Sequence, residues 1–379
     1  MAKVMIAGYG SAGQYVTDFL LKDHRISPSI LEGIYIMSRK SLEDVTPRLE
    51  ISNISAGICD RYIPIKYMKC DFNDIEGMAK CICHVQPDVI VYTGRYAAGL
   101  KYGAFSYPNQ IGYGAWIPMS FPYIYNLMKA VRLSGVKTKV INTSFPDGVN
   151  HLLDTVNLAP YCGAGNLNHL IPRIKRAAAR IYNTDPQSIS VDLSCAHYVN
   201  TYVSKEGTGK GCASLLRLFH LPSREDLLRD ESIDDQNELK EQVLYPQCKD
   251  TSAGGQIRNQ MIASDCAEIV RYLIDPSASG IIHVPGIEGL PGGCKCAATK
   301  GELKINSVWS RSEIEQVGKI GLLYDGIEIR PGEVHFTEST REKMKNVFNI
   351  DYPEFLTVGE MQQFANTLKD KLYSISGKV

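Results

Sequence analysis

The chain has 379 residues, and its 41 lysines and arginines balance 41 aspartates and glutamates, so it carries no global field to draw nucleic acid or an anionic membrane surface. No apolar run reaches the length of a membrane span, and the N-terminus lacks the ordered regions of a secretory signal. The eleven cysteines, odd in number and scattered, read as reduced thiols of a cytoplasmic protein. The CxC pairs Cys81/Cys83 and Cys294/Cys296 are too tightly spaced for structural zinc, and no metal site is expected.

The first element is the apolar run Val4-Met5-Ile6-Ala7, which breaks at Gly8-x-Gly10-x-x-Gly13 and resumes with helical periodicity from Tyr15 to Leu21. A strand, a glycine turn and a helix in that order make a phosphate cradle. Gly8 permits the turn, Gly10 lets backbone approach a pyrophosphate, and Gly13 lets the helix pack against the strand. Ser11 and Ala12 then start the helix whose free N–H groups would face the anion. Further strands are expected at about 33–37, up to Cys70-Asp71, across "PDVIVYTGR" and across "TKVINTSFPD", with helices at about 75–84 and 123–133 between them. This alternation predicts a parallel sheet covered on both faces. Asp71, Thr93-Gly94-Arg95 and Asn142 fall at strand ends, where such sheets bind their ligands.

The end of the second strand selects the cofactor. NAD-binding folds place a carboxylate there for the ribose hydroxyls, whereas this chain has Ser38-Arg39-Lys40, and Glu32 precedes the strand. A hydroxyl, a guanidinium and an ammonium suit a 2′-phosphate, so NADP is expected in preference to NAD.

In the middle of the chain, "GNLNHLIPRIKRAAARIYNTDPQSISVDLSCAH" predicts a helix over about 167–181, an Asp-Pro turn and a strand ending at His197. Here the chain resembles the lactate/malate dehydrogenase superfamily. Arg173, Pro186 and His197 match, without a gap, the substrate-gripping arginine, the turn proline and the catalytic histidine of that family. The resemblance extends over the amino-terminal sheet, the helix "IASDCAEIVRYLID" and the helix in "HFTESTREKMKNVF". It implies hydride transfer to or from a small, carboxylate-bearing oxo/hydroxy or imino/amino acid. His197 would be the proton donor and Arg173 the carboxylate clamp.

Departures from the pattern matter equally. The aspartate that orients the family's histidine should lie near Leu170. The nearest polar side chains are Asn166 and Asn168, which can orient an imidazole but supply no charge; Asn168 is the candidate, and a histidine pKa near the unperturbed 6.5 follows. Asn142 stands for the family's active-site asparagine. The mobile loop of the family maps onto 94–116, whose cations are Arg95 and Lys101, and Arg258 is an alternative anion clamp. Two other readings are a family 4 glycosidase, with Cys162 and His197 as manganese ligands, and a non-catalytic NADP-binding sensor.

After Tyr198 the pattern becomes α+β. "LLRLFHLPSREDLLRDESIDDQNELKEQ" reads as helical, with a solvated charged stretch at 225–241. "PGIEGLPGGCKC" reads as a loop before a strand in "GELKINSVW", and the tail after Phe336 as helix. The expectation is therefore an α/β protein with a Rossmann-like, doubly wound dinucleotide-binding domain over 1–150. A second α+β domain over 151–379 would bind substrate and pair two copies as a homodimer.

Overall fold

The computed structural model describes residues 1–57, 62–97, 105–221, 237–249 and 255–376. Lys101, most of the charged stretch 225–241 and part of the loop 249–256 lie outside the described residues. Six parallel strands form the principal sheet in the order β3-β2-β1-β4-β5-β6. They are β1 (Ala2–Ala7), β2 (Leu31–Ser38), β3 (Ile65–Lys69), β4 (Val89–Tyr92), β5 (Lys139–Asn142) and β6 (Cys162–Gly163). The order reverses between β1 and β4, so a crevice opens at their C-terminal ends. The sheet draws its last strand from beyond residue 150.

Alternation along these strands explains the two faces of the sheet. Val4, Ile6, Ile34, Ile36, Val89, Val91 and Ile141 point into one core, packed by α1 (Ser11–Lys22) through Val16, Leu20 and Leu21. Met5, Ala7, Tyr35, Met37, Ile90, Tyr92 and Val140 point into the other. That second core is covered by α3 (Ile75–Val85), α4 (Pro122–Ser134) and α5 (Pro146–Asp154). A further helix, α2 (Leu42–Gly57), follows β2.

The remainder is α+β. After α6 (Ile171–Tyr182), β7 (Ile189–Ser194) pairs antiparallel with β8 (Leu215–His220), and α7 (His197–Glu206) lies between them in sequence. Two expectations are corrected here. β7 ends at Ser194, so His197 opens a helix rather than closing a strand. The run Leu215–His220, read as helical, is a strand, because its alternate residues Leu216 and Leu218 bury against β7.

The helix α8 (Gly255–Ile274) runs beside α1 in the first core. It precedes an antiparallel sheet of β9 (Gly280–Pro285), β10 (Gly293–Thr299) and β11 (Glu302–Ile305). The loop expected over 285–296 thus gives part of its length to β9 and β10. Then α9 (Arg311–Tyr324) leads to a second antiparallel sheet of β12 (Ile327–Arg330), β13 (Glu333–Phe336) and β14 (Phe355–Thr357). The tail is not wholly helical: α10 (Glu338–Phe348) and α11 (Met361–Ser376) flank β14. No described helix is long and apolar enough to cross a membrane.

Candidate active site

The glycine turn sits at the C-terminal edge of the sheet, where the Gly8 amide donates to the Met37 carbonyl of β2 at 2.8 Å. Gly8 has φ +109°, and a Cβ there would stand 2.8 Å from the Gly94 nitrogen. A Cβ on Gly13 would lie 2.2 Å from the Gly8 carbonyl oxygen and 2.9 Å from Thr93 Oγ1, which itself donates to that carbonyl at 2.8 Å. Gly10 differs: nothing lies within 4 Å of its Cβ position. Two glycines therefore permit close packing, and the third faces open space in front of the α1 N-terminus. Ser11 and Ala12 form the first turn there, and the Asn259 amide of α8 donates to Ser11 Oγ at 2.8 Å. An opening edged by free helix N–H groups fits a pyrophosphate.

Beside this turn lie Ser38, Arg39 and Lys40. Ser38 is buried while the other two are exposed. Arg39 donates to Tyr123 Oη at 2.7 Å and stacks over that ring at 5.0 Å. Asp71 is exposed at the end of β3 and accepts from the Asn73 amide at 2.9 Å.

The histidine lies at the start of α7. His197 Nδ1 stands 3.5 Å from Asp325 Oδ2, and Nε2 stands 3.4 Å from Thr201 Oγ1. Its ring packs on Tyr113 at 4.5 Å and edge-on to Phe145 at 5.5 Å. Asp325, buried just beyond the end of α9, accepts from the Tyr113 amide at 3.1 Å, and its own carbonyl accepts from Gly114 N at 2.9 Å. Gly112 allows that loop to approach, since a Cβ there would lie 2.1 Å from the Asp325 carbonyl oxygen. Burial opposes protonation of His197, but the negative charge of the adjacent Asp325 carboxylate, helped by Asp147, outweighs it and raises the pKa above the usual imidazole value. The expectation of an unsupported histidine near pH 6.5 is thus corrected. A carboxylate is present, supplied by a different part of the chain.

A cavity of about 90 Å³ opens at this ring, lined among others by Tyr113, His197, Thr201, Lys205, Arg258 and Asp325. Lys205 has its pKa pushed down to about 8 by burial and by the Arg258 charge, against a smaller opposing effect of Glu206. Several contacts tie the cavity to the sheet edge. Phe145 lies shortly beyond the end of β5, Arg95 acts electrostatically on Tyr113 from beyond β4, and Arg258 is next to Asn259, which reaches Ser11.

Other expected residues lie differently. Arg173 donates to the Cys248 carbonyl at 3.0 Å and does not line the cavity. Asn168 pairs with the backbone of His283, donating at 2.8 Å and accepting at 3.1 Å, because β9 passes beside it. Asn142 is fully buried, donating to Asn150 Oδ1 at 2.8 Å and accepting from Ser144 N at 2.8 Å. Cys162 is fully buried in the core with α1 and α8, and among the described residues no three His, Cys, Asp or Glu side chains are grouped as metal ligands. Sequence reasoning missed Asp325, Tyr113, Thr201 and Lys205. The last two had a signal, since 197, 201 and 205 share one helix face.

No protein-family model matches the chain, and no curated protein matches it in sequence. Solved structures do match in fold. Malate dehydrogenase from Plasmodium falciparum superposes with TM-score 0.53 at 12% identity, covering 86% of this chain and 96% of that one. Malate dehydrogenase from Cryptosporidium parvum gives 0.51 at 11%, over 92% and 99%. The 6-phospho-beta glucosidase from Thermotoga maritima, solved with NAD and glucose-6-phosphate, gives 0.55 at 10%, over 100% and 98%. The chain has the lactate/malate dehydrogenase-like fold.

Proposed function

We propose that the chain is an oxidoreductase that moves a hydride between a nicotinamide dinucleotide and a small, carboxylate-bearing oxo/hydroxy or imino/amino acid, with NADP(H) preferred over NAD(H). The observation that carries this reading is His197 paired with Asp325 in a cavity shared with Lys205 and Arg258, beside the sheet edge that holds the glycine turn. The fold shared with the Plasmodium enzyme, solved elsewhere with NADH, and with the Thermotoga enzyme, solved with NAD, supports a nicotinamide cofactor. Preference for the 2′-phosphate rests on Ser38, Arg39 and Lys40.

The dinucleotide, when bound, supplies or accepts the hydride. The first turn of α1 would hold its pyrophosphate through backbone N–H groups, with room left by Gly10. Thr93, Gly94 and Arg95 wall the crevice next to it. His197 carries the proton at Nε2, beside Thr201, and delivers it to the carbonyl or imine as the substrate is reduced. Asp325 holds the opposite ring nitrogen and stabilises the imidazolium. Arg258 and Lys205 take the substrate carboxylate, in the role first expected of Arg173. The Tyr113 and Phe145 rings keep water from the faces of the imidazole.

The test follows nicotinamide absorbance with a panel of 2-oxo acids, with and without amines. His197→Asn should lower turnover by about two to four orders of magnitude with nucleotide affinity intact; undiminished turnover would remove the catalyst from this reading. We also expect a homodimer formed through α2 and α8, where Leu42, Ile51, Ile54 and Ile257 are exposed. Light scattering at the 42.0 kDa of one chain would rule that out.

A further inference from the structure

The space beside His197 does not end with its own cavity. A second cavity of about 450 Å³ adjoins it, and Tyr107, Gly112 and Tyr202 stand on the walls of both. Helix α7 is the partition. His197, Thr201 and Lys205 line the first cavity, and Tyr198, Tyr202 and Glu206, one position further around the helix, line the second.

The chemistry of the two spaces differs. The first is small and cationic, with room for a carboxylate and the reacting carbon. The second is within the size range of pockets for ligands of many heavy atoms. One wall is aromatic: Tyr198 packs on Tyr202 at 4.4 Å and on Tyr324 at 5.2 Å. The rest is polar. Glu206 accepts from Tyr107 Oη at 3.0 Å and pairs with Lys210 Nζ at 2.5 Å. Lys343 donates to the Gln110 carbonyl at 2.7 Å, and the start of α10 brings Thr337 and Ser339 to the wall. Glu206 is matched by Lys210, and Lys343 adds one further positive charge, so the space disfavours strong cations while the rest of its polar wall is neutral hydroxyls and carbonyls. An aliphatic tail would strand the polar groups. A chain of hydroxyl-bearing carbons can lay its C–H faces on tyrosine rings and exchange hydrogen bonds with carboxylate, ammonium and hydroxyl groups.

We propose that the second cavity receives the tail of the substrate, and that the substrate is a polyhydroxylated acid of the sugar-acid class. Its carboxylate lies toward Arg258 and Lys205, its reacting carbon by His197, and its hydroxylated chain along Tyr198, Tyr202 and Tyr324. The inference rests on reading the His197 cavity as the site of an acid substrate.

Calorimetric titration of the full chain, with oxidised dinucleotide present, tests it using three probes: gluconate with head and tail, pyruvate with head only, and glucitol with tail only. Gluconate should bind at least about tenfold more tightly than either of the others, the equivalent of one good contact or more. Tyr198→Leu should reduce gluconate to the level of pyruvate and leave pyruvate unchanged. Ser339→Phe should do the same by filling the cavity from an exposed position that the fold does not depend on. Gluconate that binds no better than pyruvate, or that is indifferent to both substitutions, overturns the tail site. Because the readout is binding, gluconate held in the expected way but never turned over would sink the oxidoreductase reading and leave the tail site standing.

Discussion

His197 Nδ1 and Asp325 Oδ2 lie 3.5 Å apart, although one residue begins α7 and the other caps the end of α9. The carboxylate is held by the Tyr113 amide, and Gly112 and Gly114 bring that loop close enough to do so. The pair has a consequence for pH. The His197 pKa is raised above its ordinary value, and the proposed reduction needs the imidazolium, so reductive activity should fall at higher pH than an ordinary imidazole would dictate. Asp325→Asn keeps the shape and removes the charge. Burial then acts with less opposition, and the falling limb should move to lower pH. A pH profile of kcat/KM for both proteins measures this; coincident limbs would show that Asp325 does not tune the histidine.

The same pair sets a pH dependence of stability. A histidine whose pKa is higher folded than unfolded stabilises the fold fully below the unfolded value, and that stabilisation is lost as pH rises through the folded value. The cost of Asp325→Asn in urea titrations should therefore be larger at about pH 6 than at about pH 9. An equal cost at both would mean the aspartate side chain acts only through its bond to the Tyr113 amide.

What could be seen in the sequence was local. The glycine turn and the first five strands are written in adjacent residues, because two-residue alternation and a Gly-x-Gly-x-x-Gly turn need no distant partner to be recognised. Asp325 has no such mark: it is one aspartate in a Tyr-Asp-Gly turn, and only the packing of α9 against α7 brings it to His197. Arg173 shows the converse. Its spacing from His197 fits the dehydrogenase pattern, yet the segment around Cys248 packs on α6 and takes its guanidinium. Leu215–His220 misled for a simpler reason: leucines suit a helix as well as a strand, and the neighbouring β7 decided between them.

The three glycines of the turn should separate binding from folding. Gly10→Val places a side chain in open space at the α1 N-terminus, so the protein should melt normally and lose dinucleotide binding. Gly13→Ala pushes a methyl group against the Gly8 carbonyl, which is backbone and cannot swing away, and should cost about 1–3 kcal/mol of stability. Fluorescence titration with NADPH alongside thermal melts reads both. A Gly10→Val protein that binds the nucleotide normally would make the turn purely structural.

The proposed preference for NADP(H) rests on the residues where β2 ends. Arg39 already leans on Tyr123 through a hydrogen bond and a stacking contact, so its guanidinium is held near the crevice. Replacing Arg39 and Lys40 together by Ala should remove two charge-assisted contacts to a 2′-phosphate and about 2–4 kcal/mol of preference for NADPH over NADH. NADH affinity should change little. Calorimetry that finds equal affinities for the two nucleotides in the parent protein would reverse the assignment.

Arg258 and Arg173 make opposite predictions, and together they locate the anion site. Arg258 lines the His197 cavity and lowers the pKa of Lys205 by its charge, a repulsion that a bound carboxylate would relieve. Arg258→Gln should therefore raise KM for an acid substrate by roughly 10- to 100-fold, the worth of one charged hydrogen bond, with a smaller change in kcat. It should also let Lys205 titrate above its present value of about 8. Arg173 instead bonds the Cys248 carbonyl, so Arg173→Leu should leave KM unchanged and cost about 1–2 kcal/mol of stability through the lost bond. Steady-state kinetics and urea titrations on the two variants give a clear choice. If Arg173→Leu raises KM and Arg258→Gln does not, the carboxylate is held where the dehydrogenase pattern first put it, and the cavity at His197 receives a different part of the substrate.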